Sequence, residues 1–159
     1  MGQSELFFNV IREGNLETLE QLVQADGKLL NSKDSRGSTP LILATYYGYA
    51  KVAEFLVKQG AEIDAKDGSG NTALMGVCFK GYIEIAKLLI DSGADVNHVN
   101  AMGATSLIYA STFNKPEIAK LLLDHGADRS HKDARGNTAL DHAKMQESHE
   151  LIALLTPKP

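Results

Sequence analysis

The amino-acid sequence predicts an all-α solenoid, in which helix pairs stack side by side and short turns connect them. The first observation is a segment with glycine followed two residues later by threonine, which recurs at a constant interval of 33 residues. The second is a Gly-Ala element that follows three of these copies at a constant distance. Repeats of roughly 20 to 50 residues are typical of solenoids, because a single unit cannot bury its own apolar face. The four copies are residues 37–44, 70–77, 103–110 and 136–143.

Each copy is predicted to begin the first, inner helix of a pair. Threonine is a favoured N-cap residue, because its hydroxyl accepts a bond from an amide that has no partner within the helix. Pro40 follows the first threonine, and proline suits the first helical position, where its missing N–H costs no hydrogen bond. A leucine then starts an apolar stripe. The threonines are Thr39, Thr72, Thr105 and Thr138, and the leucines are Leu41, Leu74, Leu107 and Leu140.

The second, outer helix of each pair is indicated by apolar residues at i, i+3 and i+4. The glycine of the Gly-Ala element is expected to end that helix in the left-handed conformation. A four-residue turn then leads to the next copy, with Asp or Asn first and Gly last, as turn chemistry favours. The apolar sets are Val52, Phe55, Leu56; Ile85, Leu88, Leu89; and Ile118, Leu121, Leu122. The ending glycines are Gly60, Gly93 and Gly126, and the turns are residues 34–37, 67–70, 100–103 and 133–136.

These segments resemble the ankyrin repeat, whose pattern is roughly G-x-T-P-L-H-x-A-A followed by G-A-D-V-N. The resemblance covers nearly the whole chain and implies a slightly curved stack of helix pairs with hairpin fingers. The family histidine is replaced by Ile42, Met75, Ile108 and Asp141, and the T-A-L-M and T-S-L-I forms are similar to many bacterial members. We expect one domain, 1–159, with repeats at about 4–33 (an N-terminal cap), 34–66, 67–99, 100–132 and 133–156 (a C-terminal cap).

Composition argues against nucleic acid and membranes as partners. The net charge is −4, and Lys and Arg are scattered singly, whereas nucleic-acid binding needs a basic stripe. No stretch approaches the roughly 18 consecutive apolar residues that a membrane helix requires. Residues 1–10 lack the basic and apolar regions of a secretory signal, which favours a cytoplasmic location. A signal removed upstream of residue 1 would leave no trace here.

The histidines and the single cysteine do not form a recognisable catalytic or metal site. His98 and His131 occupy equivalent loops of neighbouring repeats. Packed helices lie about 8–10 Å apart, too far for such a pair to share a zinc ion, so both are interpreted as exposed loop residues. His125 precedes a helix-ending glycine, where a cation favours the helix C-terminus. Cys78 is interpreted as a packed thiol. We therefore expect no enzymatic activity, no metal and no cofactor.

The resemblance implies instead that a partner protein contacts the finger tips and the exposed end of each inner helix. Aromatic residues are concentrated at those helix positions, and they are typical of interface cores. The alternative is that some of the rings pack between repeats, as we expect for Tyr49 and Tyr82. The predicted protein-binding residues are Arg36, Ser38, Tyr46, Tyr47, Ser69, Asn71, Phe79, Lys80, Met102, Phe113 and Arg135.

The sequence therefore predicts a monomeric module that binds a partner protein. Two other roles stay open: an inhibitor or stabiliser of a specific enzyme, and a secreted effector. Self-association through the exposed aromatics is a further alternative. The partner's identity is left open, because one scaffold hosts unrelated ligands and only the surface decides among them.

Overall fold

The computed structural model describes residues 2–158 and shows, within that range, ten α-helices arranged as five antiparallel pairs. The odd-numbered inner helices pack on one another in chain order, and so do the even-numbered outer helices. This confirms the all-α stack of helix pairs. The pairs are α1 (Gln3–Arg12) and α2 (Leu16–Ala25), α3 (Pro40–Tyr46) and α4 (Ala50–Lys58), α5 (Ala73–Lys80) and α6 (Ile83–Asp91), α7 (Ser106–Thr112) and α8 (Pro116–Asp124), and α9 (Ala139–Met145) and α10 (His149–Leu155). A short 3₁₀ helix, Gly27–Asn31, follows α2.

The four predicted threonine caps are present. The hydroxyl oxygens of Thr39, Thr72, Thr105 and Thr138 each accept a bond from the amide three residues further on, at 3.2 to 3.4 Å. At α9 the carboxylate of Asp141 also accepts from the Thr138 amide at 2.9 Å, which completes a capping box. The inner helices α3, α5, α7 and α9 therefore each begin at the residue after their threonine, whereas α1 has no side-chain cap.

Short fingers, residues 34–38, 67–71, 100–104 and 133–137, connect each helix pair to the next. In the first finger, Asp34 Oδ1 accepts the amides of Arg36 and Ser38, both at 2.9 Å, and so holds the turn closed. None of residues 2–158 forms a regular strand, so each finger is a tight turn rather than an extended hairpin. Successive tips are joined by one backbone bond, as where the Gly68 amide donates to the Arg36 carbonyl at 3.1 Å.

The core runs through the stack as two columns of equivalent leucines. Among them, Leu89 lies on α6 in the middle of the stack and is 0% exposed. Leu140, the equivalent of the inner leucines on α9, is only partly buried, because residues 2–158 place no helix pair beyond α9 and α10. Each of the five helix pairs lies within one predicted repeat range, except that α1 begins one residue earlier, at Gln3. The buried column members are Leu41, Leu74 and Leu107 on the inner helices and Leu56, Leu89 and Leu122 on the outer helices.

Candidate protein-binding surface

Five aromatic rings form a continuous row across the inner helices α3, α5 and α7. We call Tyr47, Tyr46, Phe79, Phe113 and Tyr109, taken in that order, the aromatic stripe. Successive ring centroids lie 5.9, 6.3, 4.6 and 5.9 Å apart. These separations fall in the range of about 4.5–7 Å in which aromatic pairs attract one another. The stripe therefore spans three repeats without a gap.

The rings of the stripe are packed and accessible at the same time. Tyr46 and Phe113 are each 38% exposed, and Tyr47 and Phe79 are each 41% exposed. Phe79 stacks parallel to Tyr46 on one side and meets Phe113 edge-on at the other. Packing between repeats, the alternative considered for these residues, thus holds the rings in place without removing them from the surface.

A cation lies at one edge of the stripe. Lys80 Nζ is 4.9 Å from the centroid of the Tyr46 ring. At that distance the electron-rich face of the ring attracts the ammonium group. The predicted residue Lys80 therefore belongs to the same surface as the rings.

The remaining predicted residues on the finger tips differ in their exposure to solvent. Arg36, Ser69 and Arg135 are exposed, and Met102 is 62% exposed. Ser38 is only 8% exposed, because it sits at the base of the Asp34 turn, which its own amide closes. Ser38 therefore has little side chain to offer a partner, and it is omitted from the surface proposed below.

Asn71 is half-buried and belongs to a polar network that the sequence analysis did not identify. Asn100 lies at the centre of that network and is 7% exposed. Its Oδ1 accepts the amides of Met102 and Ala104, while its Nδ2 donates to Asn71 Oδ1 at 2.8 Å and to the Tyr109 hydroxyl at 2.7 Å. The network fixes the Tyr109 end of the stripe against two successive fingers. Its only sequence signal is an Asn where the other turns have Asp.

Two adjoining cavities open between the fingers and the inner helices. The larger, of about 760 Å³, lies beside Arg12, Arg36 and Tyr47. The smaller, of about 270 Å³, lies farther along the stripe, beside Phe79 and Phe113. Ile42, Tyr46 and Asp67 line both cavities, so the two form one continuous groove.

The predicted stacking tyrosines close the junctions between helix pairs. The Tyr49 hydroxyl donates to the Arg12 carbonyl at 2.9 Å, and the ring lies against Gly14. Tyr82 lies in the same way against Gly48. Both rings act between repeats. The Tyr49 ring lies 6.0 Å from that of Tyr47, but it closes a junction and is not counted in the stripe.

The prediction that His98 and His131 are exposed loop residues was wrong. Both are half-buried, and their Nε2 atoms lie 2.9 Å from the carbonyl oxygens of Gly70 and Gly103 in the preceding fingers. Each histidine therefore ties one finger to the next. No group of three or more His, Cys, Asp and Glu side chains within residues 2–158 could hold a metal ion.

Cys78 and His125 occupy structural positions. Burial raises the pKa of the Cys78 thiol to about 12, against a smaller opposing effect of a hydrogen bond with Ser106. A thiol that stays protonated is a poor nucleophile. His125 Nδ1 lies 2.9 Å from the Leu121 carbonyl oxygen, at the C-terminal end of α8.

Comparison with protein families identifies ankyrin repeats along most of the chain. A family model described as ankyrin repeats (3 copies) matches residues 6–100 and 74–158. No curated protein matches the chain significantly. None of the helices in residues 2–158 has both the length and the apolar character needed to cross a membrane.

Proposed function

Because the chain belongs to the ankyrin-repeat family, whose members are generally protein-interaction modules, we propose that it binds a partner protein through its aromatic stripe and finger tips and catalyses no reaction. The observation that carries this proposal is the row of half-exposed rings. Monomeric proteins rarely expose large contiguous apolar patches except where something binds. Tyr and Arg are among the residue types that dominate binding energy when they are desolvated at an interface.

The packing of the stripe also supports the proposal. Each ring is held by its neighbours, and Tyr109 is held in addition by hydrogen bonds with Asn71 and Asn100. Side chains that are already ordered lose little conformational freedom when a partner covers them, so more of the contact energy appears as affinity. The surface therefore consists of the stripe together with Arg36, Ser69, Asn71, Lys80, Met102 and Arg135.

Quantitative capture from a native lysate tests this proposal. The immobilised chain is compared with Tyr47→Ala and Phe113→Ala, with thermal unfolding used to show that both variants are folded. Loss of an interface ring that costs about 1–2 kcal/mol weakens binding by roughly fivefold to thirtyfold. Leu6, which is 46% exposed and lies outside the stripe, provides the matched apolar control, Leu6→Ala.

We expect the two stripe variants to lose a partner that Leu6→Ala retains. Full recovery of every captured protein by both folded stripe variants would contradict the proposal. Measuring the activity of the captured partner with and without the chain then separates a scaffold from an inhibitor or stabiliser. Light scattering tests the expected monomer, and microscopy of the tagged chain tests the expected cytoplasmic location.

A further inference from the structure

The first residue of each finger has one side-chain atom that accepts amide hydrogen bonds and closes the turn, and a second polar atom that does not. In three fingers, that second atom has a partner in the protein. Asn100 Nδ2 donates to the Tyr109 hydroxyl at 2.7 Å, and Asp133 Oδ2 lies 2.7 Å from His142 Nε2. Asp34 Oδ2 forms an ion pair of 3.3 Å with Arg12.

Asp67 is the exception. Its Oδ1 accepts the amides of Ser69 and Asn71 at 2.9 and 3.0 Å, as in the other turns. Within residues 2–158, its Oδ2 takes part in no hydrogen bond and in no ion pair. The carboxylate therefore has an unused acceptor.

The cause is a glycine in the inner helix. Tyr109 and His142, which supply the partners in the last two fingers, occupy equivalent positions of α7 and α9. The equivalent residue of α5 is Gly76, which has no side chain to reach Asp67. The space that a side chain would fill is open, and it forms part of the cavity of about 270 Å³ beside Phe79.

The chemistry of this recess suits a cation. Tyr46, Phe79, Phe113 and Tyr109 all line it together with Asp67, and no Lys or Arg is among its lining residues. Aromatic faces and a carboxylate both attract an ammonium or guanidinium group. Lys80 Nζ lies 4.9 Å from the centroid of the Tyr46 ring, so one ring of the stripe already contacts an ammonium group.

The recess, of about 270 Å³, has room for one long side chain. It opens into the larger cavity of about 760 Å³ that runs toward the N-terminal finger. A bound chain can therefore lie along the groove while one of its side chains enters the recess.

We propose that the Gly76 recess receives a single Lys or Arg side chain of the partner protein, whose charged group binds Asp67 Oδ2 among the rings of the stripe. This inference rests on the proposed function, in which the stripe binds a protein, and it adds the chemistry of one anchor residue.

Titration with small probes, followed by amide NMR, tests the recess without knowledge of the partner. The probes are N-acetyl-lysine methylamide and N-acetyl-arginine methylamide, with N-acetyl-norleucine methylamide as the uncharged control of similar length. We expect the charged probes to shift the amide signals of Gly76 and Asn71, and to bind at least about fivefold more tightly than norleucine.

Two variants locate the binding group. Asp67→Asn keeps the oxygen that accepts the turn amides but removes the charge. We expect it to weaken binding of the charged probes by about fivefold. Gly76→His reproduces the His142–Asp133 pair. The new imidazole should bind Asp67 and so abolish binding of the charged probes. An ideal Cβ at Gly76 lies 3.6 Å from the Tyr46 ring, an ordinary contact, so this variant can fold.

Equal binding of norleucine, or unchanged binding of the charged probes by Asp67→Asn, would overturn the inference. Absence of any shift at Gly76 with the charged probes would overturn it as well. Capture experiments keep the two proposals distinct. A partner lost by Tyr47→Ala but retained by both Asp67→Asn and Gly76→His would refute the anchor and leave the binding surface standing.

Discussion

Replacing Gly76 by alanine should stabilise the protein, although Gly76 lies at the centre of the stack. The residue is inside α5, where its backbone is ordinary helix. Apart from the neighbouring residues and the backbone of its own helix, an ideal Cβ there meets one atom within 4 Å, Cδ2 of Tyr46 at 3.6 Å. Glycine inside a helix is less favourable than alanine by roughly 0.8–1 kcal/mol. We therefore expect Gly76→Ala to raise the free energy of unfolding by about 1 kcal/mol.

Gly37→Ala is the matched control, because the same methyl group should there have the opposite effect. Gly37 has φ of +80°, and its ideal Cβ would lie 2.9 Å from the backbone nitrogen of Gly68. That nitrogen donates to the Arg36 carbonyl and so joins two fingers. The left-handed conformation alone costs a residue with a Cβ about 1–2 kcal/mol. The clash adds to that cost.

Urea unfolding followed by circular dichroism measures both changes. A rise of about 1 kcal/mol for Gly76→Ala shifts the thermal midpoint by roughly 2–4 °C in a chain of this size. A loss of stability in Gly76→Ala would refute the reasoning, because it would mean that the packing around α5 requires the glycine. The open recess beside Asp67 would then need another explanation.

Three further predictions concern the core and the titrating groups. Leu89→Ala removes a side chain that is 0% exposed and should cost about 2–5 kcal/mol in chemical denaturation, whereas a loss below about 0.5 kcal/mol would mean that this position is not core. Cys78 should resist a thiol reagent at pH 8 until the protein is unfolded, because burial raises its pKa to about 12, and rapid labelling of the native protein would contradict this. Although burial acts to raise it, the hydrogen bonds from His142 and from backbone amides lower the pKa of Asp133 below its ordinary 3.8. The lowered pKa of Asp133 therefore stabilises the folded protein at pH values above the ordinary pKa, and this stabilisation is lost as the pH falls through the lowered pKa. His142→Ala should raise the pKa of Asp133 measured by NMR, and an unchanged value would refute the pairing.

The helix pairs were predictable because their signals are local. A threonine cap, such as Thr72, and a leucine such as Leu74 are separated by two positions and act within one helical turn. The 33-residue interval then places equivalent leucines in one column without further information. The signal of the helix-ending glycines is also local. Gly60, Gly93 and Gly126 all have the predicted positive φ.

Features that depend on contacts between repeats were predicted less well. His98 was expected in solvent, but its imidazole reaches the Gly70 carbonyl of the preceding finger. A position in a loop does not reveal this contact, because the acceptor lies 28 residues away. The low exposure of Ser38 was missed for a different reason, because it follows from the local Asp34 turn that the Ser38 amide closes.

The recess could have been found only by comparing repeats at one position. Leu43, Gly76, Tyr109 and His142 occupy equivalent places in four repeats and differ in length and polarity. The sequence shows this variation. It does not show that Tyr109 and His142 reach the first residue of the finger, because that depends on side-chain conformations. Structure was needed to connect Gly76 with the unused oxygen of Asp67.

Site-specific photo-crosslinking tests the central claim, that the stripe is the surface that meets the partner. A benzophenone amino acid replaces Phe79 in the stripe or, in a second variant, Lys87 on the exposed side of α6. Irradiation in a native lysate, followed by mass spectrometry, should give a specific protein adduct from position 79 and none from position 87. An adduct formed only from position 87, with none from position 79, would place the partner on the outer helices and contradict the account.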